Sequence, residues 1–214
     1  MTHIVITGAN RGIGAKLAEN YAAAGGTVTG TARNTEGLAK LEVTDKASQQ
    51  AFAASLNAPV DLLVCNAGVY PDKGQSLEDG YPPEMWAEVF ATNVTGVFLT
   101  VQALLPLIKQ AKAPRIAIIS SQMASHTRAP GGSYIYRSSK AAVLNLARNL
   151  AADLKPSGIA VGAYHPGWVR TDMGGASGDI DVDESARGLK AEFDALNLAT
   201  TGCFRTWDGR DHAY

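Results

Sequence analysis

Short β-rich runs alternate with longer helix-like stretches from one end of the chain to the other. The short runs are His3–Thr7, Thr27–Thr31, Asp61–Cys65, Arg115–Ser120, Ile159–His165 and Cys203–Trp207. The longer stretches are Gly12–Ala24, Lys46–Leu56, Glu84–Ala111, Tyr134–Leu154 and Glu184–Leu196. The short runs are continuously apolar instead of alternating with period two, as expected of strands buried on both faces. The order predicts an α/β fold with a doubly wound, seven-stranded parallel sheet, Rossmann-type, in three α/β/α layers. Two segments depart from the alternation. Between Arg33 and Asp45 there is room only for a turn and a three-residue strand, Leu41-Glu42-Val43, where a crossover helix would normally lie. From Thr171 to Val182 the chain is glycine-rich and acidic, which predicts a mobile loop of a length usually kept for function.

Composition narrows the class. The chain has 214 residues, 46% hydrophobic and 18% charged, which is enough for a substantial core. Neither an internal repeat nor a Pro, Gly or Ser-rich linker divides it, so residues 1–214 are expected to form one domain with 171–183 as a lid over the site. Cys65 and Cys203 are too few for a disulfide scaffold and are expected to be buried, reduced thiols. A net charge of -1 gives no field that would draw nucleic acid or an anionic membrane. Met1-Thr2-His3 runs straight into Ile4-Val5-Ile6 and Gly8, too short for a signal peptide, and no apolar run is expected to approach the roughly 18 residues of a membrane span. A cytoplasmic protein is the expectation.

The first strand leads into Thr7-Gly8-Ala9-Asn10-Arg11-Gly12-Ile13-Gly14 and then an amphipathic helix. Glycines permit a tight strand-to-helix turn and a close approach by a pyrophosphate, and the helix N-terminus presents free N–H groups to the anion. No Gly-Lys-Ser/Thr follows, so the loop is not of the Walker type. At the end of the second strand, Ala32 and Arg33 stand where an acidic residue would chelate the ribose hydroxyls of NAD. Arg33, with Arg11 from the glycine loop, favours a 2′-phosphate and hence NADP(H), with NAD(H) as the alternative.

Tyr136 and Lys140 lie four positions apart at the start of a long helix and so share one face. Bringing a free tyrosine from a pKa of about 10 to near 7 takes about 4 kcal/mol of preferential phenolate stabilisation, which a neighbouring ammonium helps to supply. Such a tyrosine suits general acid catalysis at a carbonyl oxygen.

Together with Cys65-Asn66-Ala67-Gly68, Asn93-Val94-Thr95-Gly96, Ser120-Ser121, and Pro166-Gly167 with Thr171, these motifs make the chain resemble the short-chain dehydrogenase/reductase family from Ile4 to about Trp207. Tyr-Ile-Tyr-Arg-Ser-Ser-Lys and His-Pro-Gly-Trp-Val-Arg-Thr-Asp-Met-Gly-Gly are most similar to the C-factor-like branch of small carbonyl reductases. The resemblance implies a catalytic tetrad of Asn93, Ser121, Tyr136 and Lys140. In it Ser121 binds the substrate oxygen, Tyr136 gives the proton, Lys140 holds the nicotinamide ribose and lowers the tyrosine pKa, and Asn93 keeps a water that relays protons. It further implies cofactor contacts from Gly8, Asn10, Arg11, Gly12, Ile13, Gly14, Arg33, Glu42, Val43, Asn66, Ala67, Gly68, Pro166, Gly167, Val169 and Thr171. Asn66 and Gly68 are expected against the adenine-side ribose, and Val169 and Thr171 against the nicotinamide. No metal site is expected.

Ser120 competes with Ser121 for one role. His165 precedes a proline at a strand end and is expected to be packed and hydrogen-bonded. Trp168 is either a wall of the substrate pocket or a surface aromatic. The gap from Ser121 to Tyr136 is longer than usual for the family, and Glu42 replaces an aspartate near the adenine. The shortened Arg33–Asp45 segment is expected to expose the adenine pocket and weaken cofactor binding. The expected activity is hydride transfer between NADP(H) and a small hydrophobic aldehyde or ketone, by a homodimer or homotetramer. The competing reading is a dinucleotide-binding sensor or signalling protein with little turnover.

Overall fold

Seven parallel strands in the order β3-β2-β1-β4-β5-β6-β7 form the sheet of the computed structural model, which describes residues 2–214. Met1, where the argument against a leader segment begins, lies outside the described residues. The strands are β1 (His3–Ile6), β2 (Thr27–Ala32), β3 (Ala39–Lys40), β4 (Leu62–Cys65), β5 (Arg115–Ile119), β6 (Ala160–His165) and β7 (Phe204–Thr206). The helices are α1 (Gly12–Ala23), α2 (Lys46–Ser55), α3 (Pro83–Phe90), α4 (Gly96–Ile108), α5 (Tyr134–Leu154) and α6 (Val182–Ala195).

Every residue of β1, β4 and β6 is buried, because helices cover both faces. On one face Val5, Leu63, Ile116, Ile118 and Val161 pack with Phe52, Val101, Leu104, Val143 and Ala147 from α2, α4 and α5. On the other, Ile4, Ile6, Leu62, Val64 and Ala117 pack with Leu17, Tyr21, Leu189 and Phe193 from α1 and α6. Strand order reverses between β1 and β4, so the loops leaving their carboxyl ends diverge and open a crevice, the usual ligand position in such sheets.

The shortened segment behaves in part as expected. No helix joins β2 to β3. The strand itself, however, is Ala39–Lys40 and not Leu41–Val43: Thr31 and Ala32 pair with Ala39 and Lys40. Leu41, whose N–H still donates to the Ala32 carbonyl of β2 at 2.9 Å, and Val43 are buried past the end of the paired strand, and Val43 approaches α4 so closely that a Cβ at Gly96 would stand 3.0 Å from its Cγ2. Gln49 completes this clamp, donating from Nε2 to the Val43 carbonyl at 3.0 Å and to Thr100 Oγ1 at 2.8 Å.

The stretch expected as one helix over 84–111 is α3 and α4 joined through a π-helical turn, Ala91–Thr95. Pro83–Ile108 is thus a continuous 26-residue helix with a mean hydropathy of 1.5 over its most apolar window, long and apolar enough by composition to cross a membrane. This corrects the expectation that no run approaches that length: Thr92, Asn93, Thr95 and Gln102 interrupt the apolar sequence without adding charge. Here its inner stripe, Val89, Val97, Val101, Leu104 and Ile108, is buried.

Near the end of the sheet, Trp207 fills a slot between two glycines. A Cβ at Gly167 would stand 2.9 Å from Trp207 Cδ1, and one at Gly188 2.7 Å from Cε3. Gly167 also has φ +88, a conformation that disfavours any side chain.

Replacing Gln49 by Ala would leave the buried Val43 carbonyl without its clamp. A loss of about 2 kcal/mol of stability is expected, measured by urea unfolding, with an unchanged denaturant slope.

Candidate active site

The loops after β1 and β4 are stitched together at the crevice. Thr7 Oγ1 accepts from the N–H groups of Asn66 and Ala67, both at 3.0 Å, and Asn66 Nδ2 donates to the carbonyls of Thr7 and Gly8, both at 3.0 Å. Gly8 has φ +67. A Cβ on Gly14 would meet the Gly8 carbonyl oxygen at 2.3 Å, so Gly14 serves the packing of α1 on its own loop. Gly12, with φ +55, has only Thr171 Cγ2 near the position of a Cβ, at 3.6 Å. Arg11 begins α1 without a side-chain cap, and the first turn has no acidic residue, so its free N–H groups form an anion cradle.

The remaining cofactor-side candidates differ in what they touch. Asn10 and Arg33 are exposed. Arg11 is paired with Asp172 at 2.7 Å, and both side chains are largely exposed, so the pair contributes little stability. The Glu42 carboxylate accepts from the N–H and hydroxyl of Thr44 at 3.2 and 3.0 Å, within its own turn. Asn66, expected against a ribose, spends its amide on the glycine loop. Gly68 stands toward the catalytic end: a Cβ there would be 3.2 Å from Asn93 Oδ1 and 3.6 Å from Lys140 Nζ.

At that end Tyr136 and Lys140 share the inner face of α5, both buried, with Nζ 5.6 Å from the tyrosine ring centre. Lys140 donates to the Ile119 carbonyl at 2.9 Å, and desolvation pushes its pKa down to about 8. Tyr136 does not have the lowered pKa expected beside an ammonium. Burial pushes its phenol well above the ordinary value, the Tyr70 and Asp72 charges add to this, and only a hydrogen bond with Ser121 opposes it. That bond separates the two serines. Ser121 reaches Tyr136, while Ser120 donates to the Lys140 carbonyl at 3.1 Å.

Asn93 lies in the π-helical turn and is 1% exposed. Its Oδ1 accepts from Val69 N–H at 2.8 Å, and Nδ2 donates to the Val69 carbonyl and to Ser139 Oγ, both at 3.0 Å. The side chain is therefore committed to holding the loop after β4.

A cavity of about 270 Å³ opens over these groups. Ile13, Ser121, Tyr136, Pro166, Gly167, Val169 and Thr171 line it, joined by Tyr70, Lys73, Met123 and Met173. Trp168 is also in the wall and donates to the Gly174 carbonyl at 2.9 Å; Lys73 reaches the same carbonyl from the opposite side at 3.4 Å. His165 lines the cavity as a neutral ring, its pKa pushed down to about 3 chiefly by burial, and its Nδ1 has no hydrogen-bond partner. The expected hydrogen-bonded histidine is therefore packed but not fully satisfied. The 171–183 segment is not a free loop: Gly175 N–H donates to the Thr171 carbonyl at 2.7 Å and Arg170 N–H to the Ile180 carbonyl at 3.0 Å, and α6 begins at Val182.

Two further residues at the site come from the Tyr70–Gly74 stretch, which the sequence suggests as pocket lining without giving either a role at Tyr136. Tyr70 stacks on Tyr136 with ring centres 4.0 Å apart. Asp72, fully buried, accepts at Oδ2 from the N–H groups of Ile135 and Tyr136 at 2.9 and 3.1 Å. Neither belongs to a motif; only the folded path of the loop brings them to α5.

Comparison with known proteins agrees with this arrangement. A model of the short chain dehydrogenase family matches residues 2–180. C-signal of Myxococcus xanthus is 37% identical over 164 residues, covering 76% of this chain and 98% of that protein. The 3-oxoacyl-[acyl-carrier-protein] reductase FabG of Escherichia coli is 32% identical over 210 residues, covering 91% and 82%. The crystal structure of NADPH-bound carbonyl reductase from chicken fatty liver superposes with a TM-score of 0.92 at 31% identity, covering 100% of this chain and 99% of that one.

The buried ammonium of Lys140 costs stability. A pKa lowered from 10.5 to about 8 corresponds to about 3 kcal/mol at pH 7. Lys140→Met is therefore expected to unfold at a higher temperature than the wild type at pH 7. Between pH 8 and 10.5 the unfolded chain holds a proton that the folded wild type has lost, so wild-type stability rises with pH there and the variant's advantage shrinks.

Proposed function

The chain belongs to the short chain dehydrogenase family, and on that footing we propose that it is an NADP(H)-dependent carbonyl reductase in which Tyr136 is the proton donor. Family membership makes it an oxidoreductase acting between alcohol and carbonyl groups. The observation that carries the finer reading is the pair of Ser121 and Tyr136 on the wall of the 270 Å³ cavity, with Lys140 buried behind Tyr136 on the same helix face and the N-terminus of α1 nearby, where Ile13 lines the same cavity.

The cofactor supplies the hydride when bound. The cradle at Gly12–Gly14 suits its pyrophosphate, and Pro166, Gly167, Val169 and Thr171 form the wall for its nicotinamide end. Arg33, exposed beyond an acid-free end of β2, and Arg11 suit a 2′-phosphate. NADPH is the cofactor bound in the chicken carbonyl reductase structure, which supports the same preference here. Ser121 and the Tyr136 hydroxyl, on one wall of the cavity, together present donors to a substrate oxygen that gains negative charge. A phenol raised by burial is protonated throughout the neutral range, which suits the donor's role in reduction. Lys140 sets the ribose and electrostatic floor of the site. Asn93 contributes by fixing Val69 with its committed side chain.

Tyr70, Met123, Trp168 and Met173 give the cavity an apolar lining, which supports a small hydrophobic aldehyde or ketone as substrate. Residues 1–214 act as one cofactor-binding unit with 171–183 as its lid. The incompletely buried apolar helix at Pro83–Ile108, where Phe98 is exposed, supports a homodimer or homotetramer.

The similarity to C-signal favours a second reading, dinucleotide binding for signalling with little turnover. Tyr136→Phe separates the two. On the enzyme reading it lowers kcat with NADPH and a carbonyl panel by on the order of 10²- to 10⁴-fold while NADPH fluorescence titration is unchanged. A biological effect that survives this substitution assigns the function to binding. Arg33→Ala is expected to weaken NADPH by about 10- to 100-fold and leave NADH unaffected, the loss of one charge-assisted phosphate contact. An unchanged ratio of the two cofactors' KM values refutes the role of Arg33.

A further inference from the structure

The first N–H groups of a helix have no partner within it, and where they are buried something must accept from them. Helix α5 has no cap of its own. Ser133, at the N-cap position, is in the left-handed region with φ 47 and makes no side-chain cap bond; its Oγ is engaged with the Tyr70 hydroxyl at 2.6 Å. The N–H groups of Ile135 and Tyr136 are instead met by Asp72 Oδ2, from a loop more than sixty residues earlier.

We propose that Asp72 is a positioning residue for Tyr136: its buried carboxylate replaces the missing cap of α5 and fixes the Tyr136 phenol against Tyr70 and Ser121. The inference rests on the reading of Tyr136 as proton donor. Three observations support it. Asp72 is 0% exposed, and its other oxygen, Oδ1, is buried without a partner, so both bonds that hold the side chain go to the catalytic helix. One of the two donors is the backbone N–H of Tyr136 itself. Tyr70, two residues before Asp72, stacks on the Tyr136 ring, so the loop grips this residue at its backbone and at its side chain. A carboxylate at this position is also favoured by the helix dipole. Displacing a reacting group by about 1 Å costs on the order of 10²-fold in rate, so a grip of this kind matters more to kcat than to substrate binding.

The charge has a second consequence. The groups facing the phenol are Tyr70 and Asp72 from the loop after β4, Ser121 after β5 and Lys140 on α5; Lys73 and His165 lie farther along the same cavity wall. Of these, Asp72 is the carboxylate, and it opposes loss of the Tyr136 proton. Removing its charge makes the phenol more acidic, so the alkaline fall of the reduction rate moves to lower pH.

The test uses Asp72→Asn, which keeps an oxygen acceptor of the same size, and Asp72→Ala, which does not. The expected result is about 10-fold lower kcat for Asp72→Asn and about 100-fold lower for Asp72→Ala. KM is expected to stay within about 3-fold and NADPH affinity to be unchanged, with the alkaline limb of Asp72→Asn shifted to lower pH. Variants that lose thermal stability but keep wild-type kcat and pH profile per folded molecule overturn the proposal. Should neither variant fold, hydrogen exchange on the wild type decides. The amides of Ile135 and Tyr136 are expected to exchange as slowly as those of mid-α5, and exchange at the rate of a frayed helix end overturns it. A wild type that reduces no carbonyl refutes the functional reading instead, while the exchange measurement still tests the cap.

Discussion

The side-chain amide of Asn93 pairs with both the N–H and the carbonyl of Val69, and the geometry of the catalytic end depends on this double bond. The loop after β4 would otherwise be a free surface connection. Pinned at Val69, it lies back along the crevice, where Asn66 holds the glycine loop, Tyr70 stacks on Tyr136 and Asp72 meets the start of α5. One short segment thereby connects the glycine loop to Tyr136. The π-helical turn that carries Asn93 suits this role, since such turns mark places where a helix departs from regular bonding for a purpose.

The site is held against its own energetics. A buried ammonium and a buried carboxylate with one oxygen unpartnered are each unfavourable alone. The sheet beneath supplies the compensation: strands buried on both faces carry one apolar core that anchors α5 along the length from Val143 to Leu154. Strain of this kind sits where the chemistry needs it and the rigid elements are already over-determined.

Most of the fold was legible because parallel strands covered on both faces must be written as continuous apolar runs. The edge was harder. Leu41 and Val43 look like strand residues, yet they are buried by α2 and α4, and the pairing strand is the less apolar Ala39–Lys40. At the site, the i, i+4 spacing of Tyr136 and Lys140 was enough to place both on one face. It could not show that Lys140 commits a hydrogen bond to Ile119, or that burial outweighs the ammonium in setting the phenol. The contacts of Asp72 and Tyr70 with α5 were illegible for a different reason: they exist only across tertiary distance, with no spacing rule to betray them.

The slot that Trp207 occupies between Gly167 and Gly188 has a consequence for how the molecule is made. During synthesis the β1–α1–β2 portion with its glycine loop leaves the ribosome first and can begin to collapse at once. The turn at Pro166–Gly167 packs on Ile180, Ser185 and Trp207, so its surroundings are complete only when residue 207 has followed. The glycine loop is therefore among the first features to emerge, closed once Asn66 and Ala67 follow, and the Pro166–Gly167 wall of the cavity is among the last to be completed.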